Sequence, residues 1–151
     1  MRIRIVTVGR ISKPYRDIFE TYRKRLKGRG IELDHVNLNI GGDLNRESPD
    51  VIRKREARRI REYLVGEKIL LDREGERVDS LAFSRLIESL LGRNAVFVIG
   101  GPLGVDLEFK RVFDEVISLS DLTLSHEVAF TVLLEQIFRA YKIIRGERYH
   151  Y

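Results

Sequence analysis

Five short runs rich in β-branched and apolar residues recur along the chain, each followed by a stretch of helical periodicity or a short polar connection. That alternation limits the fold more than any other feature. Strands separated by helices imply a mostly parallel sheet with helices on both faces, the α/β class. The strand patterns fall at 2–8 (Ile3, Ile5, Val6, Val8), 31–38, 67–72, 94–99 and 115–119. Between them, 15–27 places Tyr15, Ile18, Phe19, Tyr22 and Leu26 on one helical face. Ser48 followed by Pro49 marks the start of a second helix running to about Leu64. Asp79 or Ser80 caps a third, striped by Phe83, Leu86, Ile87, Leu90 and Leu91. A short helix is expected after Asp106, and a long one from about His126 to Ile144. "REGER" (73–77) reads as a turn, and 39–48 as the most mobile loop.

At 151 residues, with no repeat, linker or low-complexity segment, residues 1–151 read as a single domain able to bury its own core. No cysteine is present, which argues against disulfides and thiolate metal sites. His35 and His126 stand far apart and lack an E-x-x-H arrangement, so no metal is expected. The apolar runs are too short to span a membrane. The opening "MRIRIVTVG" reads as a strand rather than a signal peptide, so a cytoplasmic protein is expected. The net charge of +5 favours contact with polyanions.

The last helix leaves little polar surface: Val128, Phe130, Val132, Leu133, Leu134, Ile137, Phe138, Tyr141 and Ile144 spread around it. A helix apolar nearly all round is buried on more than one side. A second copy of the chain covering the spare face, in a two-fold homodimer, is the expectation, the alternative being that the sheet and a neighbouring helix suffice.

Four stretches can carry chemistry. In "AVFVIGGPLGVD" (95–106) an apolar strand ends in Gly100, Gly101 and Gly104, a spacing that is neither a dinucleotide fingerprint nor a phosphate loop. Such a turn either exposes backbone to a ligand at the carboxyl edge of the sheet or is simply tight. "SLSDLTLSHE" (118–127) interleaves leucines with small polar residues, which suits a loop around an adenine-like ring; alone, it reads first as a connection with an N-cap at Ser125. The basic helix "RKREARRIR" (53–61) is either a phosphate-contacting surface or a solvated helix partly neutralised by Glu56 and Glu62. Arg139 interrupts the apolar last helix and needs an anion, with Glu135 the nearest partner. The tail adds Tyr149, His150 and Tyr151, suitable for stacking a base and handling a proton, where a chain end is otherwise disordered by default.

Taken together, "VTVGR", "FVIGGPLG", "SLSDLTLSHEVAFTVLLEQIFRAYKI" and the terminal "YH" resemble, over essentially the whole chain, the large-subunit (23S) rRNA pseudouridine N3-methyltransferases (the RlmH family), minimal members of the SPOUT class. The resemblance implies a SPOUT-type α/β fold with a C-terminal trefoil knot, a homodimer, and S-adenosyl-L-methionine held at Leu71, at the glycine turn (Gly100, Gly101) and at Leu119, Ser120, Asp121, Leu122, Thr123 and Leu124. It implies catalytic roles for Arg139, Tyr149 and His150, and rRNA of the large subunit or the assembled ribosome as partner. Two departures stand out: Ser125 where the family often has proline, and Tyr151 where its tail usually ends in a basic residue.

On this reading His150, or a water beside it, accepts the N3 proton, Arg139 steadies charge on the base, and Tyr149 positions it. A side chain at Gly100 or Gly101 would fill space the cofactor needs. A methyltransferase of another rRNA or tRNA position and a non-catalytic ribosome-binding protein are the alternatives.

Overall fold

Ile3 and Ile5 face one side of the first strand, Val6 and Val8 the other, and all four are fully buried. A strand apolar on both faces must be sandwiched between helices. The computed structural model, which describes residues 1–151, shows that arrangement. The chain runs β1 (Arg2–Val8), α1 (Lys13–Leu26), β2 (Glu32–Leu38), α2 (Pro49–Arg61), β3 (Glu67–Arg77), α3 (Ser80–Ser89), β4 (Ala95–Ile99), α4 (Leu107–Lys110), β5 (Glu115–Ser118) and α5 (His126–Ile144). The strands form one five-stranded sheet in the order β2-β1-β4-β3-β5. Every pairing is parallel.

Two cores sit on the two faces. Ala95, Phe97 and Ile99 of β4 join α1, α3 and α5 on one side. Val96 and Val98 join α2 and α4 on the other. Phe97 is completely buried, and truncating it to alanine would cost about 3–5 kcal/mol. Helix starts follow their caps: Ser48 accepts from Val51 N–H, Asp79 from Ala82 N–H and Ser125 from Val128 N–H. α5 packs between α1 and α3 and against the sheet, which together bury seven of its residues, while Val128 stays exposed. No helix is long and apolar enough to cross a membrane.

One expectation fails here. "REGER" is not a turn: β3 continues through it to Arg77. Ile117 of β5 stands opposite Leu71 and again opposite Glu76, so residues 72–75 leave the ladder, cross over β5 and rejoin it. Gly75 permits the crossing, since a Cβ there would lie 2.8 Å from main-chain atoms of Ile117. α2 also ends at Arg61, short of Leu64, because the next amide bonds tighten to carbonyls three residues back.

Candidate active site

Parallel strands gather their carboxyl ends at one edge of the sheet, and there a cleft of about 1090 Å³ opens. One wall is the turn after β4. Gly104 N–H donates to the Gly101 carbonyl at 3.0 Å, closing a β-turn with Pro102 second, and Gly104 has a φ of +73°. α2 supports this turn from beneath: Arg53 Nε donates to the Leu103 carbonyl at 3.0 Å. The opposite wall is the loop from Leu119 to Ser125. Leu122 N–H donates to Ser120 Oγ at 2.9 Å. The crossing segment of β3 ties this loop down, through Arg73 Nη1 to Thr123 Oγ1 at 2.6 Å and an Arg77–Asp121 ion pair at 2.9 Å. His126 Nε2 lies 2.6 Å from the Arg10 carbonyl, and Glu127 accepts from Ser12 N–H and Oγ, anchoring the start of α5 to the end of β1.

Leu71, Gly100, Gly101, Leu119, Ser120, Leu122, Thr123 and Leu124, expected to hold the cofactor, all line this cleft. Asp121 does not; its carboxylate is taken by Arg77. The reason given for the glycines needs correction. A Cβ at Gly101 would point away from the cleft, to within 3.1 Å of Glu56 Oε1 and Val8 Cγ1. A Cβ at Gly100 would meet the Val105 side chain at 2.9 Å. These glycines let the turn lie flat against α2 and Val105, and the open cleft follows from that.

Glu56 is also corrected. It sits on the apolar side of α2 with Ile52 and Ile60, is 4% exposed, and accepts from Gly41 N–H at 2.8 Å rather than neutralising surface arginines. Burial raises its carboxyl above the ordinary value, against opposing pulls from Gly41 N–H, Arg59 and Arg53.

Arg139, Tyr149 and His150 meet one another at the far end of α5. Arg139 donates from Nη2 to Glu135 Oε1 at 2.7 Å and from Nη1 to His150 Nδ1 at 3.1 Å. Its guanidinium lies 4.8 Å from the Tyr149 ring centroid. Tyr149 stacks on Phe138 at 5.1 Å and donates its hydroxyl to Glu135 at 3.1 Å. Burial, then the Glu135 carboxylate, pushes the phenol above its ordinary value. The tail is thus packed onto α5 as far as His150, while Tyr151 is fully exposed. Ala129, the last residue of α5 to line the cleft, precedes Arg139 by ten positions, ~15 Å along the axis. Within the chain the two groups of residues stay apart.

The family model described as "Predicted SPOUT methyltransferase" matches residues 1–150. The chain belongs to the SPOUT methyltransferase family. It is similar to proteins named ribosomal RNA large subunit methyltransferase H: that of Thermosipho melanesiensis at 44% identity with both chains fully covered, that of Pseudothermotoga lettingae at 39%, also fully covered, and that of Acetivibrio thermocellus at 37% over 99% of each.

Methyl transfer needs a site that holds a donor with both apolar and charged parts, and this SPOUT chain offers both. Leucines and Ile99 line the inner cleft. Arg53, Asp106 and an Asp72–Lys110 ion pair at 2.9 Å supply charge. Burial pushes the Asp72 carboxyl up, but hydrogen bonds from Lys110 and Glu74 N–H and the Lys110 charge leave it below its ordinary value. Sequence reasoning placed Arg53 in a basic surface rather than at this cleft, and missed Asp72 and Lys110 as site residues and Gly75 as the crossing point behind them. Among the missed residues Asp72, at the end of a strand run beside Leu71, carried a usable signal.

Proposed function

We propose that this chain is an S-adenosyl-L-methionine-dependent methyltransferase that methylates N3 of a pseudouridine in 23S rRNA, acting in the cytoplasm as a homodimer on the large subunit or the assembled ribosome. The observation that carries the reading is the cleft: eight of the nine residues matched to cofactor contacts surround one cavity at the carboxyl edge of the sheet. The donor fits it in chemistry. Leu71, Leu119, Leu122 and Leu124 suit its purine, Arg53 and Lys110 its carboxylate, and Asp72 and Asp106 its cationic groups. The crossing of residues 72–75 over β5 is compatible with the C-terminal knot that belongs to this reading.

When bound, the donor supplies an electrophilic methyl group on a sulfonium. The protein's task is alignment and charge control. Arg139, its charge partly balanced by Glu135, steadies negative charge on the base as the N3 proton leaves. His150 Nδ1 is occupied by Arg139, so the proton passes to water beside the ring rather than to that nitrogen. Tyr149, held flat by Phe138 and Arg139, positions the base. Because this cluster lies ~15 Å along α5 from its own cleft, it serves the cleft of a second copy.

The test is methyl transfer from labelled donor to purified ribosomes, free subunits and tRNA, with nucleoside analysis of the product. N3-methylpseudouridine in large-subunit rRNA is the expected result. Label in tRNA, at another nucleoside, or nowhere would overturn the reading. Mixing an Arg139→Ala protomer with a Leu122→Arg protomer, which puts a charge on the cleft wall, should restore part of the activity if the site is shared between copies.

A further inference from the structure

α2 carries two kinds of basic residue. Arg53, Arg55 and Arg59 are each tied to a neighbouring segment: half-buried Arg53 bonds the Leu103 carbonyl and Asp50, half-buried Arg55 bonds Glu47 and the Gly41 carbonyl, and Arg59, although exposed, bonds the Asn39 carbonyl. Lys54, Arg58 and Arg61 are exposed. None of the three lies within ion-pair distance of a carboxylate, Glu62 on the same helix included. Their spacing of four and then three residues sets them in one stripe ~10 Å long. Arg61 lies over the buried Phe109 ring, its guanidinium carbon 5.0 Å from the centroid. The stripe starts one residue past Arg53, which lines the cleft.

We infer that Lys54, Arg58 and Arg61 form a docking surface for the phosphate backbone of the RNA substrate, beside the mouth of the cleft. Lys54 and Arg58 have no carboxylate or carbonyl partner to explain them, Arg61 meets only the Phe109 ring, and a polyanion releases counterions on meeting such cations. Such contacts fix position without reading sequence, leaving choice of nucleotide to the cleft and the tail. The three bonded arginines keep α2 seated against the loops at 39–47 and 101–104, so the stripe is presented on a rigid support. The inference rests on the proposed action on rRNA and names the surface that action would use.

The experiment compares the full-length protein with a Lys54→Gln, Arg58→Gln, Arg61→Gln variant. Binding to purified ribosomes is measured across a salt series, with donor binding followed by calorimetry. A control carries Lys24→Gln, Lys27→Gln and Arg29→Gln, an equal charge change at exposed residues at the end of α1. The expected result is at least tenfold weaker ribosome binding at low salt for the α2 variant, and a log–log salt slope about 2–3 smaller in magnitude. Donor binding should not change, and the α1 control should stay near wild type. An unchanged slope in the α2 variant, or equal weakening in the control, overturns the inference while leaving the methyltransferase reading intact. Wild-type protein that binds no ribosome overturns both.

Discussion

Arg139 donates from Nη1 to the Nδ1 of His150 at 3.1 Å. A guanidinium has nothing to accept with, so that ring nitrogen carries no proton and the two side chains act as one unit. Arg139→Ala and His150→Ala are each expected to lower single-turnover methyl transfer about 10²-fold. The double variant should fall hardly further than the worse single one. Single-turnover kinetics on ribosomes check this, and losses that multiply would show that the residues work separately.

Glu56 keeps a carboxylate out of water for a single hydrogen bond from Gly41 N–H. Its pKa is raised, so the folded state holds the proton more tightly than the unfolded chain does; the stability this group contributes is full below the unfolded value of 4.5 and is lost as pH rises from there through the raised folded value. Glu56→Gln, which keeps an acceptor and removes the charge, should be neutral or stabilising at neutral pH. Glu56→Ala leaves Gly41 N–H without a partner and should cost about 1–3 kcal/mol. Urea unfolding of both variants separates these outcomes; a destabilised glutamine variant would mean the charge itself is needed.

His35 is half-buried, stacks on Phe130 at 4.5 Å and lies 2.8 Å from Thr7 Oγ1. Burial, only partly opposed by Asp34, lowers it from 6.5 to about 4. Between those values the unfolded chain binds a proton that the folded one refuses, so stability falls as pH drops through that window and levels off below it. The loss should be about 2 kcal/mol, allowing for the solvent-exposed part of the ring. Melting temperature against pH should show the slope in wild type and a flatter profile in His35→Phe.

Gly75 lies where β3 crosses β5. In Gly75→Ala the new Cβ would sit 2.8 Å from the Ile117 main chain, which cannot step aside as a side chain can. The crossing would be pushed outward, weakening the hold of Arg73 and Arg77 on the loop at 119–125. A loss of about 1–3 kcal/mol is expected, with weaker donor binding. Denaturant midpoints and calorimetry test both parts.

Most of the layering was legible because burial on both faces writes itself as continuous apolar runs, as in "AVFVI", and because Ser48, Asp79 and Ser125 announce helix starts. The glycine turn and the 119–124 loop were legible only jointly, as pieces of a known pattern. What stayed hidden depends on contacts between distant segments. "REGER" is polar and holds a glycine, the local signature of a turn, yet a second pairing with β5 makes it strand. Glu56 stands between Ile52 and Ile60 at helical spacing, a sign of an inward face that the surrounding arginines masked. Nothing local marks Lys110 as a partner for Asp72. The gap between the cleft and the tail emerges only when α5 is laid out as a rigid rod.

That rod also works as a ruler with a phase. Its first turn borders the cleft and its later turns carry Arg139 and the docked tail, so the distance and the angle between the two are set by residue count alone. One residue inserted between Ala129 and Arg139 would change the reach by ~1.5 Å and swing the arginine by about 100° around the axis. Every reactive group would survive such an insertion, and their mutual aim would not.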